Sequence, residues 1–587
     1  MDRHEARMVR FLSRRATYPP PVGAIERRET HVSHVFLAGA FAYKLKKPVR
    51  FPFLDASTLA LRRTFCLLEL SLNRRLAPAV YLGIVPIVET PDGLRLGPST
   101  GPDGLARDSA RRDGPGGHQG RVIEWVVKMR RLPETRMMDA LVARRPFDCA
   151  QDGVPSGIEG RRRVSRRDMA QIADRLARFF HEARRSRAIS RYGQPAQVAS
   201  LVLGNLQECR AFIGTLVLEP QVRLLEAAFK QYLALHEPLL RQRVREGRIV
   251  DGHGDLRCEN ICLLAPRSAQ QAGLDGSAVQ IFDCVEFEPA FRCGDMANDL
   301  SFLAMDLEFR GRHDLAAALV TRYRRQVGDS AIDQILPLYQ CHRSLVRGKV
   351  RGFAWRQHPH TAAGRRVRAL SRRHFRLAVR YARQCAPPRL IVVGGLIGTG
   401  KSTLARSLAD TLGAAWLRTD EIRRREFASR RASGQACLPK PRRRQGFAAG
   451  LYAPRVSELV YRRLIRRADA ALREGRSVVC DGTFSKASGR AALRAIARRR
   501  RAAFHFIECV VPRAVALKRV AVRAAAGRDL SEARPEHYDR LRAEFEPVRG
   551  WPARDWTRLS DDRASQRTLR AALSALRRAW LSPASLL

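Results

Sequence analysis

The stretch "CAPPRLIVVGGLIGTGKSTLA", Cys385 to Ala405, constrains the fold more than any other part of this 587-residue chain. An arginine-rich amphipathic helix runs into Pro387-Pro388, an apolar run starts at Leu390, and Gly395 to Ser402 then fits GxxxxGK[ST]. An unbroken apolar run reads as a strand covered on both faces. A glycine-rich loop opening into a helix gathers backbone N–H groups around phosphate. Apolar strands predicted at 390–393, 477–480 and 503–509 alternate with helical segments, as a parallel doubly wound sheet requires. In this reading Gly395, Gly398 and Gly400 shape the loop and Lys401 reaches the β- and γ-phosphates of ATP. Ser402 ligates Mg2+, with Thr403 beside it in the nucleotide-binding turn. Asp481, ending "RSVVCDGTF", is placed as the Walker B carboxylate of the magnesium shell.

A second phosphate-handling candidate lies upstream. In "DGHGDLRCENICLL" Asp255 and Asn260 stand five residues apart, and "VQIFDCVEF" puts Asp283 after an apolar strand. Phosphoryl transfer needs a positioned hydroxyl, metal-held phosphates and neutralised charge. Asp255 at this spacing would accept or orient the acceptor proton, and Asn260 and Asp283 would hold Mg2+. An isolated His-Gly-Asp is ordinarily a turn between strands. The added Asn260, Asp283 and an upstream Tyr43-Lys44 strand change that reading, and His253 then braces the loop.

Composition limits the alternatives. Hydrophobic residues at 45% with 28% charged describe a folded chain. No apolar run approaches the roughly 18 residues of a membrane span, and the N-terminus lacks an apolar leader, so a cytoplasmic protein without a membrane partner is expected. The twelve cysteines form no CxxC pair and no zinc spacing, and are expected as buried thiols. The net charge of +51 raises a nucleic-acid partner, but the excess is spread along the chain and only ten of the 108 cationic residues are lysine. A bias towards arginine accounts for it equally well, so nucleic acid is possible but not favoured. Against that background Lys44 and Lys401 are informative, because ammonium and guanidinium are not interchangeable.

"FAYKLKKPVRFPFLD", "ELSLNRRLAP", "VVKMRRLP", "HGDLRCENICL" and "IFDCVEFEPAFRCGDMANDLSFLAMDLE" together resemble the aminoglycoside phosphotransferase family, over most of residues 25 to 350. The closer resemblance is to a group in which that module is fused to a P-loop ATP-binding one, gluconate-kinase-like or zeta-toxin-like. The resemblance implies that Lys44 is the strand lysine on the nucleotide phosphates and Glu69 its helical ion-pair partner. It also implies that Asp295 and Asp299 cap a helix or brace a loop. No GxGxxG precedes Lys44, so "ETHVSH" must form the phosphate-covering turn.

In the P-loop half, Asp420 in "LRTDEIRRR" resembles the acid that contacts or deprotonates the acceptor hydroxyl in gluconate-kinase-like, zeta-toxin-like and polynucleotide-kinase-like enzymes. Arg519, Arg523 and Arg528 occupy a lid position suited to clamping phosphate, although a solvated helix face would look the same. The expected architecture is an α+β bilobal protein-kinase-like domain over 1–386, with loop insertions near 97–120 and 145–163. An α/β P-loop NTPase domain with a parallel doubly wound sheet follows over 387–587. The expected function is transfer of the ATP γ-phosphate to a hydroxyl of a small molecule, with ATP and Mg2+ at each site. The alternatives are a polynucleotide 5′-hydroxyl kinase, or one module serving only as a nucleotide sensor. Oligomeric state is not legible.

Overall fold

The computed structural model describes residues 2–51, 54–100, 120–142, 163–264, 278–428, 453–526, 534–560 and 565–581. Most of both expected insertions lies outside them, as does Arg528. The chain divides into two compact units, Met1–Gln194 with Gln242–Arg343, and Pro195–Arg241 with Ser344–Leu587.

In the first unit a six-stranded antiparallel sheet comes first. Its strands are β1 (Glu26–Glu29), β2 (Ser33–Ala38), β3 (Phe41–Lys46), β4 (Tyr81–Thr90), β5 (Gly93–Leu96) and β6 (Arg121–Arg130), in the order β1-β2-β3-β6-β4-β5. The "ETHVSH" segment forms the turn between β1 and β2.

Side chains alternate faces along a strand, and β3 uses both. Tyr43 and Leu45 join a core with Met8, Phe11 and Leu12 of helix α1 (Arg3–Leu12), while Lys44 and Lys46 face the other way, where Glu69 of α2 (Leu59–Arg74) receives them. In α2 the buried residues Cys66, Glu69, Leu70 and Asn73 recur at helical spacing, so a glutamate lies within an apolar stripe.

Short hairpins follow. Strand β7 (Ile249–Asp251) pairs with β10 (Cys293–Asp295), and β8 (Ile261–Leu263) with β9 (Val279–Ile281), all antiparallel. Cys262 and Leu264 share a core with Cys66, Leu70, Tyr81 and Val127, which fixes the hairpin against α2 and the sheet. Asp295 caps α3 (Met296–Phe309), its carboxylate accepting Ala297 N–H at 2.9 Å.

The second unit carries a five-stranded parallel sheet of β11 (Arg389–Gly395), β12 (Ala415–Arg418), β13 (Val478–Asp481), β14 (Ala503–Val510) and β15 (Trp556–Ser560), in the order β12-β13-β11-β14-β15. Alternate residues of central β11 feed two cores. Leu390 and Val392 pack with Val460, Leu464 and Leu493 on one face. Ile391 and Val393 pack with Leu404, Leu408 and Leu576 on the other. That is the doubly wound arrangement read from the sequence. The edge strands β12 and β15 escaped that reading because "AWLR" and "WTRLS" are mixed and only partly buried.

The compact units do not follow a single cut near 387. Segment 195–241 packs with the P-loop sheet: Leu235 joins the core of Ile391 and Val393, and Gln231 donates to the Pro387 carbonyl at 2.9 Å.

Candidate active sites

In the first unit the predicted residues come together from distant points in sequence. The Lys44 ammonium donates to Glu69 Oε1 and to Asp283 Oδ1, each at 2.8 Å. Burial alone would push the Lys44 ammonium down, but Asp283, Glu69 and Glu286 outweigh it and hold it well above the usual lysine range. Burial likewise pushes the Glu69 carboxyl up, and the ammonium groups of Lys44 and Lys46 override this and bring it to about 2. Glu69 is thus wholly buried and ion-paired, not a solvated helix residue.

Asp255 sits on a braced loop. Its backbone N–H donates to His253 Nδ1 at 3.2 Å, so the His253 proton lies on Nε2, which donates to the Phe282 carbonyl at 3.0 Å. Burial lowers the His253 pKa, consistent with that neutral tautomer. The Asp299 carboxylate accepts from the backbone N–H groups of His253 at 2.6 Å and Gly254 at 2.8 Å. Gly252 makes room for this contact, since a Cβ there would come within 2.4 Å of Asp299 Oδ2. Asp295 and Asp299 therefore cap and brace, as the resemblance implied.

Asn260 donates Nδ2 to the Asp255 backbone carbonyl at 2.8 Å and to its carboxylate at 3.1 Å. Its amide oxygen is a hard donor of the kind that Mg2+ takes. Asp283 is 45% exposed at its side chain, giving a second hard oxygen donor.

Several neighbours were not foreseen. Arg257 donates to both Asp255 oxygens, at 2.7 and 2.8 Å, and is itself nearly buried. From the far end of α2, Arg75 reaches the backbone carbonyls of Asp251 and Gly252 at 2.8 Å each. Asn73 accepts Cys284 N–H, also at 2.8 Å. Lys46 contacts both Glu69 and Glu286. The scarcity of lysine that singled out Lys44 applies equally to Lys46, and would have found it.

In the second unit Gly395, Gly398 and Gly400 all take positive φ, at 142°, 78° and 82°. Helix α4 (Lys401–Leu412) opens at Gly400, and Lys401 Nζ donates to the Leu396 carbonyl at 3.3 Å. Ser402 Oγ lies 3.1 Å from Asp481 Oδ1, so the hydroxyl and the carboxylate expected to share a magnesium shell lie side by side. Burial raises the Asp481 pKa, against the opposing influence of Lys401, the Ser402 hydroxyl and Arg418. Asp420, on the short helix α5 (Thr419–Arg423), is close enough to Asp481 to push it the same way as burial. Arg418, also unforeseen, brings Nε to 3.3 Å from Asp481 Oδ2.

Gly398, Gly400 and Thr403 line a cavity of about 690 Å3 together with Arg519 and Arg523, on a helix spanning Arg513–Ala526, and Lys518. Lys518 is another of the ten lysines and was missed. Gly398 has no latitude, since a Cβ there would stand 2.4 Å from the Ala516 backbone carbonyl. Gly398→Ala is expected to weaken nucleotide binding at this loop at least tenfold, measured by titration of a non-hydrolysable ATP analogue into a Lys44→Ala background. Unchanged affinity would remove the loop from nucleotide binding.

Among the described residues no group of three or more His, Cys, Asp or Glu is arranged as a metal site, and no helix is long and apolar enough to cross a membrane. Each candidate site offers two hard oxygen donors from the chain, Asp283 with Asn260 and Ser402 with Asp481. That set fits Mg2+ completed by phosphate oxygens and water.

A family model described as an AAA domain matches residues 390–548. An uncharacterised protein of Mycobacterium tuberculosis is 33% identical over 505 residues, spanning 86% of this chain and 87% of its own length, and one from Mycobacterium bovis matches equally. The chain belongs to the family of these mycobacterial proteins. Among solved structures, a choline/ethanolamine kinase family protein from Mesorhizobium loti is 14% identical with a TM-score of 0.31, covering 61% of this chain and 93% of its own. A gluconokinase from Sinorhizobium meliloti is 18% identical with a TM-score of 0.24, covering 33% of this chain and 93% of its own. By its own topology this family member joins a protein-kinase-like fold in its N-terminal region to a P-loop kinase fold in the region matched by the AAA domain.

Proposed function

We propose that the chain is an ATP- and Mg2+-dependent phosphotransferase with two nucleotide sites, moving the γ-phosphate to a hydroxyl of a small molecule. The observation that carries this reading is Lys44 joining Glu69 and Asp283 at 2.8 Å each, beside an Asp255–Asn260 loop. A strand lysine, a helix glutamate and a post-strand aspartate meet at one ammonium, as phosphate positioning demands. When bound, Mg2+ neutralises charge on the transferring phosphate. Lys44 would orient the nucleotide, Asn260 and Asp283 would hold the metal, and Asp255 would take the acceptor proton. In the P-loop unit, Lys401 and the three glycines would cradle phosphate, Ser402 and Asp481 would hold the metal, and Asp420 would face the acceptor. Arg519 and Arg523 would close over the phosphates.

The family relatives carry no acceptor name, so the acceptor must come from assay. Radiolabelled γ-phosphate transfer to a panel of sugars, aminoglycosides, amino alcohols and oligonucleotide 5′ ends should label small molecules. Asp255→Ala should remove one set of products and Lys401→Ala another. Labelling confined to 5′ ends would favour the polynucleotide reading. Full labelling in Lys401→Ala, with nucleotide binding lost in the second unit, would make that unit a sensor.

A further inference from the structure

Lys46 and Glu286 take no part in the chemistry proposed above, yet they continue the charge pattern of the first site. Asp283, Lys44, Glu69, Lys46 and Glu286 alternate in sign along one buried line. Both oxygens of Glu69 are taken, Oε1 by Lys44 and Oε2 by Lys46. Side-chain exposure is 4% for Lys46, 0% for Glu69 and 8% for Glu286, against 45% for Asp283. Three carboxylates against two ammonium groups leave one net negative charge, and only the Asp283 end opens to solvent.

Segment 283–286 is pinned at every residue. Asp283 N–H donates to Tyr81 Oη at 3.2 Å, Cys284 N–H to Asn73 Oδ1 at 2.8 Å, and Val285 N–H to the His253 carbonyl at 3.0 Å. The fourth pin is the Glu286 carboxylate on Lys46. This matters because Asp283 has φ +62°, a left-handed conformation that aspartate adopts more readily than most side chains but still at some cost, which these contacts offset.

We propose that Lys46 and Glu286 form a positioning pair that ties the Asp283 segment to strand β3 and α2, presenting the Asp283 carboxylate to nucleotide-bound Mg2+. Lys44 is then the ammonium that faces the ligand, and Lys46 the one that holds the ladder from behind. The proposal rests on the first unit being a nucleotide site.

The test uses the full chain carrying Lys401→Ala, which silences the P-loop, and follows binding of a non-hydrolysable ATP analogue as Mg2+ is titrated. Lys46→Met and Glu286→Gln should each raise the half-saturating Mg2+ concentration at least tenfold. Lys46→Met strands buried carboxylates and can fail to fold, so the double variant Lys46→Met/Glu286→Gln decides. Removing both charges should recover thermal stability relative to Lys46→Met, while the Mg2+ requirement stays raised. A folded double variant whose Mg2+ midpoint lies within twofold of the parent overturns the positioning role. If the Lys401→Ala parent itself binds no analogue while the unmodified chain does, the nucleotide-site reading of the first unit fails, and the proposal falls with it.

Discussion

Replacing Asp255 with asparagine is expected to lower the turnover of the first unit about 1,000-fold, while its KM for ATP stays within roughly threefold, because a positioned general base contributes about 10²–10⁴. The asparagine keeps the shape of the loop but cannot take a proton. It also presents an amide where Arg257 now donates to both carboxylate oxygens, at 2.7 and 2.8 Å. Lys44 keeps its own partners in this variant, Glu69 and Asp283 at 2.8 Å each, so the ammonium proposed to meet the nucleotide is still held in place. Steady-state phosphate transfer to whichever acceptor the panel yields measures both constants. A loss below tenfold would leave Asp255 as a loop residue and move the base elsewhere. Asp283→Asn should behave oppositely, raising the Mg2+ and ATP requirements more than it lowers turnover.

Both candidate sites were legible in the sequence where chemistry would fix a residue type at a short spacing. HGDxxxxN and GxxxxGK[ST] are such patterns, and each lies in the predicted context: Asn260 leads into β8, and Gly400 opens a helix directly after the central strand. Lys44 stood out because lysine is rare in this chain. What could not be read were partners defined only by the folded geometry. Arg75 and Asn73 look like ordinary polar residues near the end of a helix, yet they grip backbone groups about 180 to 210 residues downstream. Arg257 and Arg418 were hidden by the arginine background, which makes any single guanidinium uninformative until its neighbour is seen. The return of segment 195–241 to the P-loop sheet was equally hidden. Its apolar face reads as a helix of the first half and reveals its partner only through Leu235 and Gln231. Lys46 is the instructive omission. It shares a strand face with Lys44 by simple alternation, and the same rarity applied to it.

Glu69→Ala is expected to destabilise the first unit by about 3–5 kcal/mol at neutral pH, the cost of removing one partner from a buried ion pair. Here the loss falls on two ammonium groups at once, because Lys44 and Lys46 each spend a contact on Glu69. Lys44 retains Asp283 and Lys46 retains Glu286, which keeps the figure at the scale of one broken pair. The pH dependence has a definite sign. The Glu69 carboxyl is depressed from 4.5 to about 2, with the two ammonium groups overcoming burial, so its stabilisation is fully present above pH 4.5 and is lost as pH falls towards 2. The two ammonium groups are raised above 10.5, so their contribution is present below that pH and is lost only in stronger alkali. Unfolding of the full chain by denaturant at a series of pH values, following tryptophan and far-ultraviolet signals of the first transition, should show the wild-type midpoint falling between pH 4.5 and 2. Glu69→Ala should start lower and fall less steeply over that interval. A variant as stable as wild type at pH 7, or one with the same acid slope, would mean that the ladder does not hold the unit together and that Glu69 acts on nucleotide alone.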